Sequence, residues 1–317
     1  MSDLPLVTII TPSYNQAAFL EQTLLSVLGQ DYPRLEYWVI DGGSTDESIE
    51  VINKYAHRLS GWVSEKDRGQ ADAINKGFQK ANGEVIAWLN SDDLYRPGAI
   101  ASAVAVLQQF PDAGMVFSDV ESIDTMGEVF NRMVYGDWGL HELVTFHMIG
   151  QPGVFMRRSI LEQAGHLDLS YQYLLDHHLW LRMGVKAGIQ YIPGQVWASA
   201  RIHPAAKNVA QAEGFGGEAY RLAKWMLEDA QFTPYIKGMQ HKIWAGAHRL
   251  NAFYLLDGGQ PRAALKAYWQ GFWQYPAAVL PDWRRILYAV FSPFGLQGLK
   301  TVYRNHKKSR FQKKVKP

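Results

Sequence analysis

The first 120 residues predict an α/β fold with a doubly wound, mostly parallel sheet, because short apolar runs alternate with longer helix-like segments. The apolar runs lie at 6–11, 35–41, 61–65, 84–90 and 113–120, and the helix-like segments lie at 16–30, 46–59, 69–83 and 98–110. Residues 150–203 mix strand and helix signals, so we expect a mixed sheet. A hydrophobic content of 47% with 20% charged residues agrees with a globular chain.

Local signals mark the boundaries of several elements. Ser44 and Glu47 fit a capping box that would start the second helix. Asn82-Gly83 predicts the end of the third helix. Further along, 151–165 predict a strand and a helix, 173–188 a helix, and 189–203 strands.

Three segments are predicted along the whole chain: an α/β domain at 1–205, a smaller helical region rich in aromatic residues at 206–299, and a basic tail at 300–317. Within the helical region, 247–276 predict a pair of antiparallel helices. Their aromatic stripe is expected to pack inside the pair, and it consists of Trp269, Phe272, Trp273 and Tyr275.

Charge and composition restrict the partners and the compartment. Cysteine is absent, which excludes disulfide and thiolate chemistry and fits a reducing compartment. The tail carries eight Lys or Arg and no acid, so the net charge of +2 leaves −6 on the other residues. Such a tail predicts an anionic partner, and we expect a membrane surface rather than nucleic acid, since no nucleic-acid-binding motif accompanies it.

Two further signals concern the membrane. The longest uncharged stretches, 267–281 and 286–299, are too short to span a bilayer. The opening MSDLPLVTIITPSYN has no basic start, so we expect no secretory signal. The sequence therefore predicts a cytoplasmic protein that rests on the inner face of the cell membrane.

Four polar clusters follow predicted strands, namely TPSYN at 11–15, DGGST at 41–45, SEKDRGQ at 64–70 and NSDD at 90–93. Since ligands of doubly wound sheets bind at the carboxyl ends of the strands, these clusters predict a binding site. Asp92 and Asp93 suit a hard divalent cation with open positions for phosphate oxygens. The alternative is a solvated turn that caps the next helix.

The other clusters also have two interpretations each. Asp41 is placed to bind a base or ribose, or it forms an Asp-Gly turn. Tyr14 is placed to stack on a base, or it packs in the core. Arg68 offers a cation near the same edge, or it forms a surface ion pair with Glu65 or Asp67. Neither a GxGxxG nor a GxxxxGK[ST] motif is present.

Taken together, three segments resemble family 2 glycosyltransferases: TIITPSYNQAAFLEQTLLSVLGQDYPRLEYWVIDGGSTDES, EKDRGQADAINKGFQKANGEVIAWLNSDDLYRPGAI and QPGVFMRRSILEQAGHLDLSYQYLLDHHLWLRM. The resemblance covers residues 5–205. It implies the GT-A fold and an inverting transfer of a sugar from a nucleotide donor, most commonly a UDP-sugar, with Mn²⁺ or Mg²⁺.

The resemblance also implies roles for individual residues. The residues expected to bind the nucleotide sugar are Thr11, Tyr14, Asp41, Arg68 and Asp92, with Asp92 directed to the ribose or a metal-bound water. SDD resembles a DXD-type motif, in which Asp93 would bind the metal, and His203 would lie near the metal or the diphosphate. Asp176 matches the base that activates the acceptor.

The chain departs from the family pattern at two positions. Leu175 stands where many relatives have an acid before the base, and Asn90 stands where many have Asp. Other interpretations remain open for Asp176, as a helix N-cap or a partner of His177 or Arg182, and for His203, as a structural histidine.

The resemblance implies a hexosyl- or N-acetylhexosaminyl-transferase that acts on a glycan or lipid-linked acceptor. A sugar nucleotidyltransferase is one alternative, but it needs a glycine-rich triphosphate loop that TPSYNQ lacks. A catalytically disabled GT-A scaffold that binds glycans or membranes is the other. The retained acids Asp41, Asp92, Asp93 and Asp176 argue against it.

Overall fold

The computed structural model describes residues 4–204, 207 and 211–292, which form two compact units. The first unit contains 4–123, 132–139 and 149–201. The second contains 124–131, 140–148 and the described residues from 202 onward. The division at 205/206 stays a prediction, and the basic tail at 300–317 lies outside the described residues.

Within the described ranges, nine strands form one mixed sheet in the order β3-β2-β1-β4-β8-β6-β9-β5, with β7 paired to β6. Strands β1 to β4 are parallel to one another, β8 is antiparallel to β4 and β6, and β9 is parallel to β6. The bounds are β1 Val7–Ser13, β2 Leu35–Asp41, β3 Gly61–Ser64, β4 Val85–Trp88, β5 Leu94–Tyr95, β6 Ala113–Ile123, β7 Val129–Met133, β8 Val154–Arg157 and β9 Gly188–Arg201. The predicted doubly wound mixed sheet is confirmed.

Seven helices precede or flank these strands, and six more follow β9 in the described part of the chain. The first set is α1 Ala17–Leu28, α2 Ser48–Tyr55, α3 Gln70–Lys80, α4 Ala99–Gln109, α5 Leu140–Leu143, α6 Arg158–Ala164 and α7 Leu175–Lys186. The second set is α8 Ala212–Glu228, α9 Thr233–Ile236, α10 Gln240–Asp257, α11 Pro261–Gln274, α12 Pro276–Val279 and α13 Trp283–Phe291. None of these helices combines the length and apolar character needed to cross a bilayer.

The packing of the first unit explains why the sequences of its strands are continuous apolar runs. Every residue of β1 and β4 is buried, as expected for strands covered by helices on both faces. On one face Trp180 of α7 stacks on Trp88 of β4 with ring centroids 5.2 Å apart. This stack fixes α7 against the end of β4.

The predicted capping box at Ser44 and Glu47 is wrong. Helix α2 begins at Ser48, and no side chain caps it from Glu47. The Ser44 hydroxyl instead donates to Asp41 and accepts from the Asn15 N–H at 2.8 Å. Asp46 accepts from the Ser48 N–H at 3.0 Å. Asp46, rather than Ser44, therefore bonds to the backbone at the start of the helix.

The predicted helix pair in the second unit is confirmed as α10 and α11, which are joined by residues 258–260. The expectation that its aromatic stripe is buried is wrong for three of its four residues, since Trp269 is 60%, Trp273 69% and Tyr275 36% exposed. The face of α11 that packs against its neighbours consists of Ala264, Ala267, Tyr268 and Gly271. Small residues on that face let the helices approach closely, so the large rings point outward.

Candidate active site

The carboxyl ends of the parallel strands lie in register at one edge of the sheet. Ser13 of β1 pairs with Asp41 of β2, and Asp41 pairs with Ser64 of β3. In β4, Trp88 pairs with Ile10 of β1, so the NSDD segment leaves the sheet at the same edge. The predicted convergence of the polar clusters at this edge therefore follows from the strand register.

The loops after β1 and β2 are joined by hydrogen bonds. Asn15 adopts a left-handed conformation with φ of 51°, and its side-chain oxygen accepts from the Thr45 N–H at 2.8 Å. The Gln16 N–H donates to the Ser48 hydroxyl at 3.0 Å. Tyr14 immediately precedes these residues and has 58% of its surface exposed, so the core alternative for Tyr14 is wrong. The loops present an aromatic ring to solvent on a fixed backbone.

Asp41 organises the turn after β2. Its carboxylate is buried and accepts from the Gly43 and Ser44 N–H groups at 3.0 and 2.9 Å, and from the Ser64 hydroxyl at 2.7 Å. This is the Asp-Gly turn that the sequence left open. Binding of a nucleotide by Asp41 stays a prediction.

Thr11 and Arg68 occupy very different environments. The Thr11 side chain is buried in β1, and its hydroxyl shares a 2.9 Å hydrogen bond with the Tyr37 hydroxyl. The Arg68 side chain is 75% exposed and donates to Asp72 at 3.0 Å, rather than to Glu65 or Asp67. This hydrogen bond is the main reason that the pKa of Asp72 is lowered. The roles of Thr11 and Arg68 in nucleotide binding stay predictions.

Asp93 is the carboxylate with the most unusual environment at this edge. It is buried, and its side chain accepts from the Arg201 N–H at 2.9 Å and from the Asn90 amide at 3.3 Å. Burial, and then the charge of Asp92, raise its pKa well above the ordinary value. A cation at this position would stabilise the ionised form, so the residues fit a divalent metal.

Arg201, at the end of β9, holds both aspartates in place, and sequence reasoning missed it. Besides the bond to Asp93, its guanidinium donates to the Asp92 carbonyl at 2.9 Å and to Gln22 at 2.8 Å. The guanidinium also lies 4.8 Å from the centre of the Phe19 ring. No local signal in the sequence distinguishes a strand-end arginine that reaches back across the fold in this way.

A chain of amide side chains, also missed from the sequence, runs beside Asp93. Gln70 donates to the Asn90 oxygen at 2.7 Å, and the Asn90 amide nitrogen lies 3.2 Å from the Gln151 oxygen. Gln151 in turn donates to the Trp88 carbonyl at 2.8 Å. An aspartate at position 90 would lack the N–H donor and would add a third negative charge, which explains why asparagine suits this chain.

Asp176 lies in the first turn of α7, four residues before Trp180. Residues four apart share one helix face, so Asp176 lies one helical turn before the residue that stacks on Trp88 at the end of β4. Its carboxylate accepts from the His177 N–H at 2.7 Å. Arg182 instead donates to the carbonyls of Ala164 and His166 at 2.6 and 2.8 Å. The role of Asp176 as a base stays a prediction.

His203 is buried and belongs to the second unit. Its role near a metal stays a prediction. Within the described ranges, no three His, Cys, Asp or Glu side chains form a cluster that would hold a metal by themselves. Ions such as Mg²⁺ are commonly bound by one or two carboxylates together with substrate phosphates, and such sites need no larger protein cluster.

Comparison with known proteins identifies the family. Residues 8–163 match the model of glycosyl transferase family 2. A PGL/p-HBAD biosynthesis glycosyltransferase of Mycobacterium bovis (strain BCG / Pasteur 1173P2) is 31% identical over 176 residues, which cover 54% of this chain and 67% of that protein. The chain belongs to glycosyltransferase family 2. The predicted family and enzyme class are thereby confirmed.

Another relative of this family 2 glycosyltransferase has a lower sequence identity to it. An uncharacterized glycosyltransferase of Rickettsia typhi (strain ATCC VR-144 / Wilmington) is 27% identical over 209 residues, which cover 63% of this chain and 65% of the relative. The chain thus spans slightly less than two thirds of that relative's length.

Solved structures confirm the GT-A fold. The mannosyltransferase PcManGT from Pyrobaculum calidifontis, in complex with GDP-Man and Mn²⁺, has a TM-score of 0.63 at 21% identity, covering 99% of this glycosyltransferase and 89% of that chain. Residues 1–349 of TarS from S. aureus, in complex with UDP-GlcNAc, give a TM-score of 0.58 at 14% identity, with 88% and 92% covered.

Proposed function

We propose that this protein is an inverting, metal-dependent glycosyltransferase that moves a hexosyl or N-acetylhexosaminyl group from a nucleoside diphosphate donor, a UDP-sugar, to a glycan or lipid-linked acceptor. The observation that carries the proposal is the buried Asp93 carboxylate beside Asp92, at the carboxyl edge of the parallel strands. The likeness to structures that hold GDP-Man with Mn²⁺ and UDP-GlcNAc supports a nucleotide-sugar donor.

The donor's nucleoside would lie on the loops after β1 and β2. Tyr14 offers an exposed ring on which a base can stack, and the Asp41 turn keeps the neighbouring loop rigid. Thr11, in β1, would contribute to nucleotide binding as part of the strand that leads to Tyr14. Arg68 would add a positive charge near the diphosphate. Asp92, half-buried beside Asp93, would bind the ribose or a metal-bound water.

Asp93, with His203, would hold Mn²⁺ or Mg²⁺. When bound, the ion neutralises the negative charge that develops on the departing nucleoside diphosphate. The chain supplies the rigidity of this site, because Arg201 and Asn90 fix the Asp93 carboxylate by hydrogen bonds at 2.9 and 3.3 Å. A carboxylate held in advance needs no reorientation when the donor binds.

Asp176 would take the proton of the acceptor hydroxyl as its oxygen attacks the anomeric carbon. The bond from that carbon to the diphosphate oxygen breaks in the same step, and the diphosphate leaves on the opposite side. A single displacement of this kind inverts the anomeric centre and forms no covalent enzyme intermediate.

The location of the protein is part of the same proposal. The basic tail at 300–317 would bind the anionic inner face of the cell membrane, and the catalytic unit would work in the cytoplasm. This arrangement fits an acceptor carried on a lipid.

The stereochemistry of the released sugar tests the proposed mechanism. We expect slow donor hydrolysis in which the sugar is first released with the anomeric configuration opposite to that of the donor, as followed by proton NMR. Asp176→Asn should slow the reaction by roughly a hundredfold or more, because general bases typically contribute that much. The matched control, Asp112→Asn, changes an exposed aspartate and should react like the wild type. A product that retains the donor's configuration would contradict the mechanism.

A further inference from the structure

Helix α11 presents a mixed basic and aromatic stripe to solvent. Arg262, Lys266, Trp269 and Trp273 are all exposed, and their spacing of four, three and four residues places them on one helix face. The two tryptophan rings stand edge to face with centroids 5.4 Å apart. Two exposed tryptophans on one helix face leave a large apolar area in water, which is unusual for a surface without a partner.

Helix α13 presents a second apolar stripe. Trp283, Leu287, Val290 and Phe291 are exposed, and they too share one helix face. The opposite side of the helix packs inward through Ala289, and Ile286 packs against the cluster that contains Ala252 and Ala267. Thus α11 and α13 bury their inner sides in the same helical unit and leave their apolar stripes outside.

The exposed hydrophobic side chains of the protein are concentrated here. Of the fifteen large hydrophobic residues that are exposed in the described part of the chain, eight lie between 269 and 291. They are Trp269, Trp273, Tyr275, Leu280, Trp283, Leu287, Val290 and Phe291. We call this set, with Arg262, Lys266 and Arg284, the aromatic face.

The charge around the aromatic face is positive. Residues 258–292 contain four Lys or Arg and one acid, Asp282, which accepts a hydrogen bond from Tyr268 at 3.4 Å. Arg285 is bound to Asp257 at 3.0 Å, so the exposed Arg262, Lys266 and Arg284 set the sign of the surface. An anionic partner is therefore favoured over a neutral or cationic one.

We infer that the aromatic face docks on the surface of an anionic phospholipid bilayer. Tryptophan is well suited to the boundary between headgroups and acyl chains, where its ring is buried and its N–H stays near water. The basic side chains beside the rings would bind lipid phosphates. This docking rests on the membrane location given under Proposed function and adds the surface that makes the contact. It uses no residue of the candidate active site, so its failure would leave the catalytic proposal unchanged.

Two observations favour a bilayer over a second copy of the chain. Pairing of two identical faces would bring Arg262, Lys266 and Arg284 of both copies together, and this repulsion opposes a dimer. The chain also continues from α13 into the basic tail, which carries eight Lys or Arg. Apolar insertion combined with a polybasic segment provides the two signals that stable peripheral attachment requires.

Vesicle binding by the full-length chain tests the inference. Co-sedimentation would be measured with vesicles of phosphatidylcholine and phosphatidylglycerol, and with phosphatidylcholine alone. The variant Trp269→Ser with Trp273→Ser should bind the anionic vesicles roughly tenfold or more weakly, because it loses two large apolar groups but keeps the tail. Replacing both residues by Phe should retain most of the binding.

The matched control is Met126→Ser with Val134→Ser, which removes two other exposed apolar side chains and should bind like the wild type. Melting temperatures close to that of the wild type would show that the variants are folded. Equal binding by the serine variant and the wild type would overturn the inference, as would equal binding of the wild type to neutral vesicles. A wild-type dimer that the serine variant converts to monomers would instead identify the face as an interface between copies.

Discussion

At the scale of single residues, the geometry of Asp93 explains why two adjacent acids can follow a buried strand. Arg201 and Asn90 hold the carboxylate by hydrogen bonds, yet its burial and the neighbouring Asp92 still disfavour its charge. A group of this kind costs stability in the absence of a cation and becomes favourable when one binds. Sites that trade stability for binding are typical of functional residues.

Replacement of Asp93 tests this trade. Because the folded-state pKa of Asp93 is raised, its contribution to stability is greatest below the unfolded-state pKa and is lost as the pH rises through the folded value. At neutral pH in chelator, Asp93→Asn should therefore melt at a higher temperature than the wild type. Added Mn²⁺ with donor should raise the melting temperature of the wild type but not of the variant.

The matched control for that experiment is Asp112→Asn, which removes an exposed carboxylate and should respond to Mn²⁺ and donor like the wild type. If Asp93→Asn melts at a lower temperature in chelator, the ionised carboxylate is stabilising in the metal-free protein. That result would contradict the proposed cost of its charge.

At the scale of elements, the positions of the strands along the chain and the edge at which the polar clusters meet could be predicted, because both depend on local patterns. Apolar runs and the polar clusters after them locate the strands and their carboxyl ends. The capping box failed because the Ser44 hydroxyl is bound within the Asp41 turn and to Asn15, 29 residues away. Arg201 and Gln151 were missed for the same reason, since their partners near Asp93 lie 108 and 61 residues away in the chain.

The stack of Trp180 on Trp88 couples the position of α7 to the end of β4. Trp180→Ala should lower the free energy of unfolding by about 3–5 kcal/mol, as is typical for a buried tryptophan. It should also reduce acceptor-dependent turnover more than donor binding, because Asp176 lies on the same helix. Chemical denaturation and donor titration measure the two effects.

The comparison variant for Trp180→Ala is Trp225→Ala, which removes a tryptophan that packs on Phe232 in the second unit with ring centroids 4.8 Å apart. It should leave the ratio of turnover to donor binding unchanged. If both variants alter that ratio equally, the stack has no specific influence on the candidate base.

At the scale of the whole molecule, a GT-A unit is combined with a helical unit that carries the aromatic face. The sequence predicted the helix pair but placed Trp269 and Trp273 in its core, because helical spacing shows that residues share a face without showing what covers it. The small residues Ala264, Ala267 and Gly271 are the ones that pack. An exposed apolar surface in a chain that also carries a polybasic segment is the combination that the proposed membrane attachment needs.

Donor turnover tests the central claim most directly. Hydrolysis of UDP-, GDP- and dTDP-sugars would be measured with Mn²⁺ or Mg²⁺, with chelator, and with Asp93→Asn. We predict that the wild type hydrolyses one donor class and that chelator abolishes the reaction. Asp93→Asn should be inactive at every metal concentration, while Asp112→Asn should behave like the wild type. Undiminished turnover in chelator or in Asp93→Asn would contradict the account. If no donor is hydrolysed or raises the melting temperature, the chain is a disabled GT-A scaffold.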